Sequence, residues 1–210
     1  MPTEKPQGIR AQKKAERPGE ILRAAFAEFV DKGFIAARVE DIAKRIGVTK
    51  GTVYFYFETK ERLFEEVMAS VSAAIASDIA SIPLDTRGTY VDQLKNFILS
   101  VYGMFAKHPE GREMVRLLIA EAPRFPELTE KHHDHFIGPG VAAIKRIVTN
   151  GIAAGEFTDS ALADFPQLVM SPILVLTFGQ LRFAGRRPID PRKFIEAHLE
   201  LVINGLRVRC

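Results

Sequence analysis

Residues 39–57 have the sequence VEDIAKRIGVTKGTVYFYF, in which two short helical patterns flank a glycine. In the first pattern, Val39, Ile42 and Ala43 recur at the spacing of one helix face. Gly47 follows, and glycine readily adopts the positive φ with which many helices end. The stretch predicts two helices joined by a tight turn, with the small Ala43 side chain where the second helix must approach closely.

The second pattern begins at Thr49, which we predict to be an N-cap whose hydroxyl accepts a hydrogen bond from a backbone N–H near Thr52. Val53 and Phe57 are spaced i, i+4, so both can face the helices that precede them. Two helices joined in this way form either a helix-turn-helix, whose second helix enters the major groove of DNA, or an ordinary helical hairpin. The turn alone leaves both interpretations open.

The remaining side chains of the second helix favour DNA binding. Tyr54, Phe55 and Tyr56 are consecutive, and three adjacent aromatic residues on so short a helix cannot all belong to a core. Hydroxyl groups and Lys50 suit phosphate oxygens, whereas Thr52 and an aromatic ring can contact base edges and thymine methyl groups. These side chains indicate a recognition helix.

The charge distribution points in the same direction. The 210-residue chain carries a formal charge of only +3. Residues 1–60 hold 12 Lys or Arg and 8 Asp or Glu, whereas residues 61–210 hold 17 and 18. A basic segment ahead of a near-neutral one is typical of a nucleic-acid-binding head, although exposed Lys and Arg are also common on any protein surface.

A larger set of positions extends this pattern on both sides of the two helices. The positions are Ile21, Leu22, Ala24, Ala25, Phe29, Gly33, Phe34, Val39, Asp41, Ile42, Ala43, the run from Gly47 to Tyr54, Tyr56, Phe57, Lys60 and Leu63. Through them, over roughly residues 18–65, the chain resembles the tetracycline-repressor-like (TetR/AcrR) family of bacterial regulators. The rest of the chain resembles that family only in helical layout and length.

The resemblance implies a set of DNA contacts on and beside the recognition helix. Lys60 would pair with a phosphate, and Phe55 would shape the operator preference. Arg38 stands where family members usually have a capping Thr or Ser, so a phosphate contact is the alternative role for it. The implied DNA-binding residues are Arg38, Thr49, Lys50, Gly51, Thr52, Tyr54, Phe55, Tyr56 and Lys60.

Helical periodicity continues to the end of the chain, and no run is typical of a strand. The predicted fold is all-α with about nine helices, the later ones over roughly 59–79, 89–107, 109–122, 126–154, 160–184 and 190–207. Pro172 should kink its helix, and Gly138-Pro139-Gly140 should interrupt the helix that carries three histidines. The predicted parts are a flexible basic arm (1–17), a helix-turn-helix DNA-binding domain (18–60) and a helical effector-binding and dimerisation domain (61–210).

A palindromic operator requires two copies of the helix-turn-helix, and the two C-terminal helices are the best candidates for a homodimer interface. The first is apolar nearly all round, so it must be covered on more than one side, either by a second copy or within one subunit. The predicted interface residues are Leu168, Ile173, Leu176, Phe194, His198, Leu199, Val202 and Leu206.

The segment 89–157 has the composition of an apolar cavity, although methionines and aromatic residues at helical spacing also fill ordinary cores. The resemblance implies a small-molecule effector here, and a repressor that the effector releases from DNA. An activator, or a helical adaptor regulated by a partner protein, is the alternative. The predicted effector-binding residues are Phe97, Val101, Met104, Phe105, Met114, Leu117, Leu118, Glu121, His132, His133 and Phe136.

Other classes of protein find no support in the sequence. The chain has no Gly-rich phosphate loop, no Gly-x-Ser-x-Gly and no His-Glu-x-x-His, so we predict that it is not an enzyme. The single cysteine, Cys210, cannot form an internal disulfide, and His132 and His135 lack further metal ligands nearby, so no metal or cofactor is expected. Without a signal sequence or an apolar run long enough to span a bilayer, a cytoplasmic, nucleoid-associated bacterial protein is expected.

Overall fold

A computed structural model describes residues 6–80, 88–159, 161–183 and 188–208, with side chains from residue 14 onward except at 76–80, 182 and 183. The described part is helical and contains no strand; its one extended pairing is an isolated bridge between Phe157 and Arg207. None of these helices is both long and apolar enough to cross a membrane.

The α-helices follow the predicted ranges closely. In chain order they are α1 (Pro6–Ala36), α2 (Val39–Arg45), α3 (Lys50–Phe57), α4 (Lys60–Ala80), α5 (Tyr90–Lys107), α6 (Pro109–Glu121), α7 (Pro126–His132), α8 (Gly138–Ala153), α9 (Gln167–Phe183) and α10 (Pro191–Leu206). A π turn, His133–Ile137, joins α7 to α8 without a gap. If α7, the π turn and α8 are counted as one helix, the described residues form nine helices, which agrees with the all-α prediction.

The predicted interruption at Gly138-Pro139-Gly140 is not observed, because the π turn leads directly into α8 and the helix continues. The N–H of Gly138 donates to the carbonyl of His133, five residues earlier. Pro139 falls at the first turn of α8, where its missing N–H costs little. In α9, Pro172 has no N–H to donate to the carbonyl of Leu168, four residues earlier. That carbonyl accepts a hydrogen bond from the Ser171 hydroxyl at 2.8 Å instead.

The N-terminal arm is also more regular than predicted, because α1 already begins at Pro6. Proline fits a helix start, and residues 9–17 consist mainly of Ala, Gln, Lys, Arg and Glu, all good helix formers. Residues 6–17 of the predicted arm therefore lie in a helix, and residues 1–5 lie outside the described residues. The first helix pattern does end at Gly33, where φ is 73°.

The chain divides into two compact units, one of residues 1–73 with 114–128 and the other of residues 74–113 with 129–210. The first unit therefore extends past residue 60 and includes the second half of α6. Its aromatic core explains both additions. Phe64 of α4 lies 5.1 Å from Phe29 and 5.1 Å from Phe34, and Phe125 lies 4.9 Å from Phe64, measured between ring centroids.

The second unit is built around α5, α8, α9 and α10. Its buried residues include Leu94, Ile98, Val101, Ile144, Val148, Val169, Ile173, Ile203 and Leu206. Hydrogen bonds fix two helix ends in this unit. At the end of α10, the N–H of Thr158 donates to the carbonyl of Leu206 at 2.7 Å, and at the start of α5 the Glu156 carboxylate accepts from the N–H of Tyr90 at 2.7 Å. The Glu156 carboxylate therefore caps the start of α5.

Candidate nucleic-acid interface

The turn between α2 and α3 has the predicted geometry. Gly47 adopts a φ of 67°, and the N–H of the following residue returns to the carbonyl of Ala43 at 3.0 Å. Thr49 caps α3 as predicted, since its hydroxyl oxygen accepts from the N–H of Thr52 at 3.1 Å. Val53 is buried, as is Phe57 at the other end of the same face, whereas Lys50, Gly51 and Phe55 are exposed.

The outward side of α3 is centred on Gly51 and Phe55. Gly51 is exposed, and Phe55 is 74% exposed, the same fraction as the most exposed of the other large apolar side chains that the structure describes. Thr52 flanks them and is half-buried. The ring of Tyr56 stands edge-on to that of Phe55, with a centroid distance of 5.2 Å and an interplanar angle of 87°.

Lys50 already has a partner on the protein. Its ammonium group forms an ion pair with the carboxylate of Glu40 on α2 and lies 5.5 Å from the ring centroid of Tyr54. The hydrogen bond with Glu40 raises the pKa of Lys50, and the same bond lowers the pKa of Glu40. A phosphate oxygen that binds Lys50 therefore competes with a carboxylate for the ammonium group.

Arg38 precedes α2 as an exposed residue, and its side chain makes no capping hydrogen bond. The helix start is held instead by the Arg38 backbone carbonyl, which accepts from the N–H of Asp41 at 3.1 Å and from that of Ile42 at 3.2 Å. The loss of the usual Thr or Ser cap, expected from the sequence, is confirmed. Arg38 is thus exposed at the start of α2.

Lys60 is held by the protein more firmly than the sequence suggests. Its ammonium donates to the carbonyl of Ile35 at 3.1 Å and lies 4.6 Å from the ring centroid of Phe34. Burial lowers the pKa of Lys60 below its ordinary value. Lys60 therefore supports the end of α1, a role that no pattern in the sequence indicated.

Sequence reasoning also missed a buried carboxylate that fixes α2 against α1. Glu28 is fully buried, and its two oxygens contact Lys32 at 2.6 Å and the guanidinium of Arg45 at 2.8 Å. Lys32 also donates to Asp41 at 2.9 Å. Burial by itself raises the pKa of Glu28, but the hydrogen bonds from the two cations outweigh it, so the net shift is downward.

Both parts of the chain match models of one protein family. Residues 21–67 match the model described as bacterial regulatory proteins of the tetR family, and residues 85–198 match the tetracyclin repressor-like C-terminal domain. The chain belongs to the TetR family. The transcriptional repressor KstR2 of Mycolicibacterium smegmatis is 41% identical over 198 residues, which cover 91% of either chain.

Solved structures of TetR-family proteins share the fold. The ketosteroid transcriptional regulator KstR2 of Mycobacterium tuberculosis gives a TM-score of 0.66 at 23% identity, covering 92% of this chain and 96% of that one. A transcriptional regulator of Saccharomonospora viridis in complex with choline gives 0.74 at 17% identity, covering 93% and 100%. The chain is accordingly a DNA-binding transcriptional regulator, and its relatives are regulators rather than enzymes.

The residues predicted to bind an effector in this TetR-family chain fall in both units. Met114, Leu117, Leu118 and Glu121 lie on α6 within the first unit, and the first three of them are buried. The remaining seven belong to the second unit, where they are Phe97, Val101, Met104, Phe105, His132, His133 and Phe136. The structure therefore does not bring the predicted set together within one unit.

His132 has the most unusual environment among these seven residues. Its ring stacks on Phe136 with centroids 5.1 Å apart, and its Nδ1 is buried without a hydrogen-bond partner among the described residues. Burial lowers the pKa of His132, which favours the neutral ring. His133 is exposed and lies 3.2 Å from the Asp134 carboxylate, while His135 Nδ1 lies 2.7 Å from the Lys131 carbonyl oxygen. Within the described residues, no group of three or more His, Cys, Asp or Glu could hold a metal ion.

The dimer prediction is corrected for half of its residues, because the single chain already buries them. These four are Ile173, Leu176, His198 and Leu206. Leu168 is exposed, and the half-buried members are Phe194, Leu199 and Val202. The other large apolar side chains that are exposed among the described residues of these two helices are Leu174, Val175 and Phe178 of α9 and Leu201 of α10. Burial within one subunit, the alternative considered from the sequence, therefore holds for the first four.

His198 joins α10 to α5 inside the second unit. Its Nδ1 lies 2.8 Å from the hydroxyl of Tyr102, and the rings meet edge-on with centroids 5.7 Å apart. Burial lowers the pKa of His198 and raises the pKa of Tyr102 to about 12, so both side chains are neutral at physiological pH. A buried neutral pair of this kind is a structural bond between helices rather than a surface contact.

Proposed function

We propose that this TetR-family regulator is a repressor that binds a palindromic operator as a homodimer and is released by a small, largely apolar effector. The observation that carries the proposal is the course of α6. This helix starts at Pro109 in the second unit and continues into the first, which includes it from Met114 onward. An effector that favours a different position of the α6 start thereby alters the DNA-binding helices through one continuous element.

The end of α6 and the turn after it are tied to the helices that support the recognition helix. The guanidinium of Arg116 donates to the carbonyl of Val30 on α1 at 2.8 Å. The Phe125 ring lies 5.0 Å from that of Phe34 and 4.9 Å from that of Phe64, measured between centroids. Because α1 holds α2 through Glu28, a shift of α6 would change the setting of the whole helix-turn-helix.

The second unit supplies side chains suited to an apolar effector. Phe97 and Val101 are buried on α5, while Met104 and Phe105 are half-buried, and methionine adapts its shape to irregular ligands. His132 adds one neutral polar group, whose Nδ1 has no hydrogen-bond partner in the part of the chain that the structure describes. These groups suit an apolar skeleton with a single hydrogen-bonding function better than a cation.

Two of the similar proteins suggest probes for the test. A ketosteroid, named for the M. tuberculosis protein, is apolar with carbonyl acceptors, whereas choline, bound in the S. viridis protein, is a small cation. The full-length chain first selects an operator from a pool of random DNA duplexes. Fluorescence anisotropy then measures operator affinity with androstenedione or choline added. We expect the ketosteroid to weaken binding tenfold or more, within the usual range of allosteric coupling, and choline to leave it unchanged.

Two variants locate the effect. Replacement of His132 by Phe keeps the stack on Phe136 and should abolish the response to the ketosteroid without changing operator affinity. Replacement of Arg116 by Met should preserve both binding events while reducing their coupling. If the operator is bound and neither compound nor a wider panel of apolar ligands alters its affinity, effector release is wrong, and the activator or partner-regulated adaptor takes its place.

A further inference from the structure

The outward side of α3 presents a single large apolar side chain. Phe55 is 74% exposed, whereas the buried side of the same helix is formed by Val53 and Phe57. Gly51 lies one turn before Phe55, and Thr52 lies three residues before it, so all three share the outward side. A phenyl ring held in water at the centre of a DNA-binding surface requires a partner with apolar chemistry.

DNA offers few such partners. Phenylalanine has no N–H or O–H group, so it cannot form a hydrogen bond with a phosphate, a sugar or a base edge. In the major groove, the apolar group that distinguishes one base pair from the others is the 5-methyl group of thymine. We infer that Phe55 contacts a thymine methyl group in each operator half-site, and that this contact helps to select the operator sequence. The inference rests on the DNA binding by α3 that underlies the proposed function.

The surroundings of Phe55 suit a contact of this kind. A Cβ atom added at Gly51 would have only the Thr49 hydroxyl oxygen nearby, at 3.7 Å, so the surface one turn before Phe55 is open to a base edge. The Tyr56 ring, edge-on at 5.2 Å, limits the directions in which the Phe55 ring can point. Lys50 lies to one side of this open surface, where it can reach the phosphate backbone.

The test removes single methyl groups from the DNA. An operator selected from random duplexes by the full-length chain is resynthesised with each thymine replaced in turn by deoxyuridine, which lacks only the 5-methyl group. At one position per half-site, we expect this change to weaken wild-type binding about fourfold, the effect of burying one methyl-sized group. Phe55→Ala should bind the thymine and uracil forms equally well, and Tyr56→Phe should keep the wild-type difference.

A second comparison at the same position separates the methyl group from the rest of the base. At the thymine position that responds to uracil, 5-methylcytosine and cytosine are compared, since they form the same base pair and differ only in the 5-methyl group. The wild-type chain should prefer the methylated form by a similar factor, and Phe55→Ala should show no preference. Uracil effects of equal size in wild type and Phe55→Ala, or none at any thymine, would overturn the inference. Failure to select any operator would instead refute sequence-specific DNA binding. Because Phe55 is exposed, the alanine variant should fold, which circular dichroism verifies.

Discussion

Lys50 shows how one residue of the recognition helix can be restrained before DNA arrives. Its ion pair with Glu40 competes with a phosphate for the same ammonium group. Glu40→Gln should therefore raise DNA affinity about 1.5- to 5-fold, the usual range for an exposed ion pair, because Lys50 is then available without competition. Anisotropy titrations at several salt concentrations measure this change.

The matched control for Glu40→Gln is Glu196→Gln, which makes the same charge change on α10 in the second unit and should leave affinity near the wild-type value. Lys50→Ala should cost more affinity in the Glu40→Gln background than in wild type, because only the unpaired lysine contributes fully. Equal affinities for wild type and Glu40→Gln would show that the ion pair does not compete with DNA.

Glu28 is a residue whose charge stabilises the first unit. Glu28→Gln removes the charge that joins Lys32 and Arg45, and we expect a loss of about 2 kcal/mol in the free energy of unfolding, typical of hydrogen bonds to charged groups. Urea unfolding at pH 7 measures it. Glu20→Gln, at a carboxylate that is partly exposed beside Arg17, should change stability by less than about 0.5 kcal/mol.

The contribution of Glu28 should also depend on pH. The pKa of Glu28 is lower in the folded chain than its ordinary value of 4.5, so folding favours the ionised carboxylate. The stabilisation is complete above about pH 4.5 and is lost as the pH falls through the folded-state pKa. The stability difference between wild type and Glu28→Gln should shrink over that acidic range, and a constant difference would contradict the assigned role.

Residues with local partners could be predicted from the sequence, and residues with distant partners could not. The Thr49 cap and the Gly47 turn depend on hydrogen bonds between residues at most five apart, and the structure confirms both. Glu28 bonds to Arg45 across 17 residues, and Lys60 bonds to the Ile35 carbonyl across 25. A charged residue on an amphipathic helix carries no local sign that its partner lies on another helix.

At the level of the elements, Gly151 controls how closely α8 can approach the segment after it. A Cβ atom at this position would overlap Cδ2 of the buried Phe157. Gly151→Ala should therefore destabilise the chain by about 1–3 kcal/mol, as overpacking does, despite the better helix propensity of alanine. Thermal or urea unfolding measures the change.

Gly103 provides the opposite case in the same unit. It lies on α5 with nothing within 4 Å of the added Cβ atom, so Gly103→Ala should be neutral or stabilise the chain by up to about 1 kcal/mol. If both glycine variants were stabilised alike, the close approach of Phe157 to α8 would be wrong.

Helix positions followed from the sequence because the 3.6-residue apolar period and the prolines between helices are local signals. The sequence did not show to which unit each helix belongs. The apolar spacing of Met114, Leu117 and Leu118 also fits a helix that lines a cavity. These residues nevertheless belong to the unit that contains the helix-turn-helix. The periodicity of α6 shows that one side is buried but does not show what covers that side.

For the whole molecule, the exposed apolar side chains of the two C-terminal helices define the surface proposed for dimerisation. On α9, Leu168, Val175 and Phe178 recur at helical spacing and are exposed, and on α10 Leu201 is 71% exposed. Apolar residues left in water on two adjacent helices of the chain are typical of a surface that another copy covers. This surface keeps Leu168 of the predicted set and leaves out the four predicted residues that lie in the core.

The prediction for the whole molecule is that charges on this surface separate the dimer. Wild type should elute as a dimer in size-exclusion chromatography with light scattering, and Val175→Asp combined with Leu201→Asp should elute as a folded monomer. Because the two half-sites are then no longer bound together, affinity for a palindromic operator should fall about 10²- to 10⁴-fold, while affinity for a single half-site should change little. Leu99→Asp, an exposed apolar residue on α5, is the matched control and should stay dimeric. A monomeric wild type would refute the homodimer, and a double variant that remains a dimer would place the interface elsewhere.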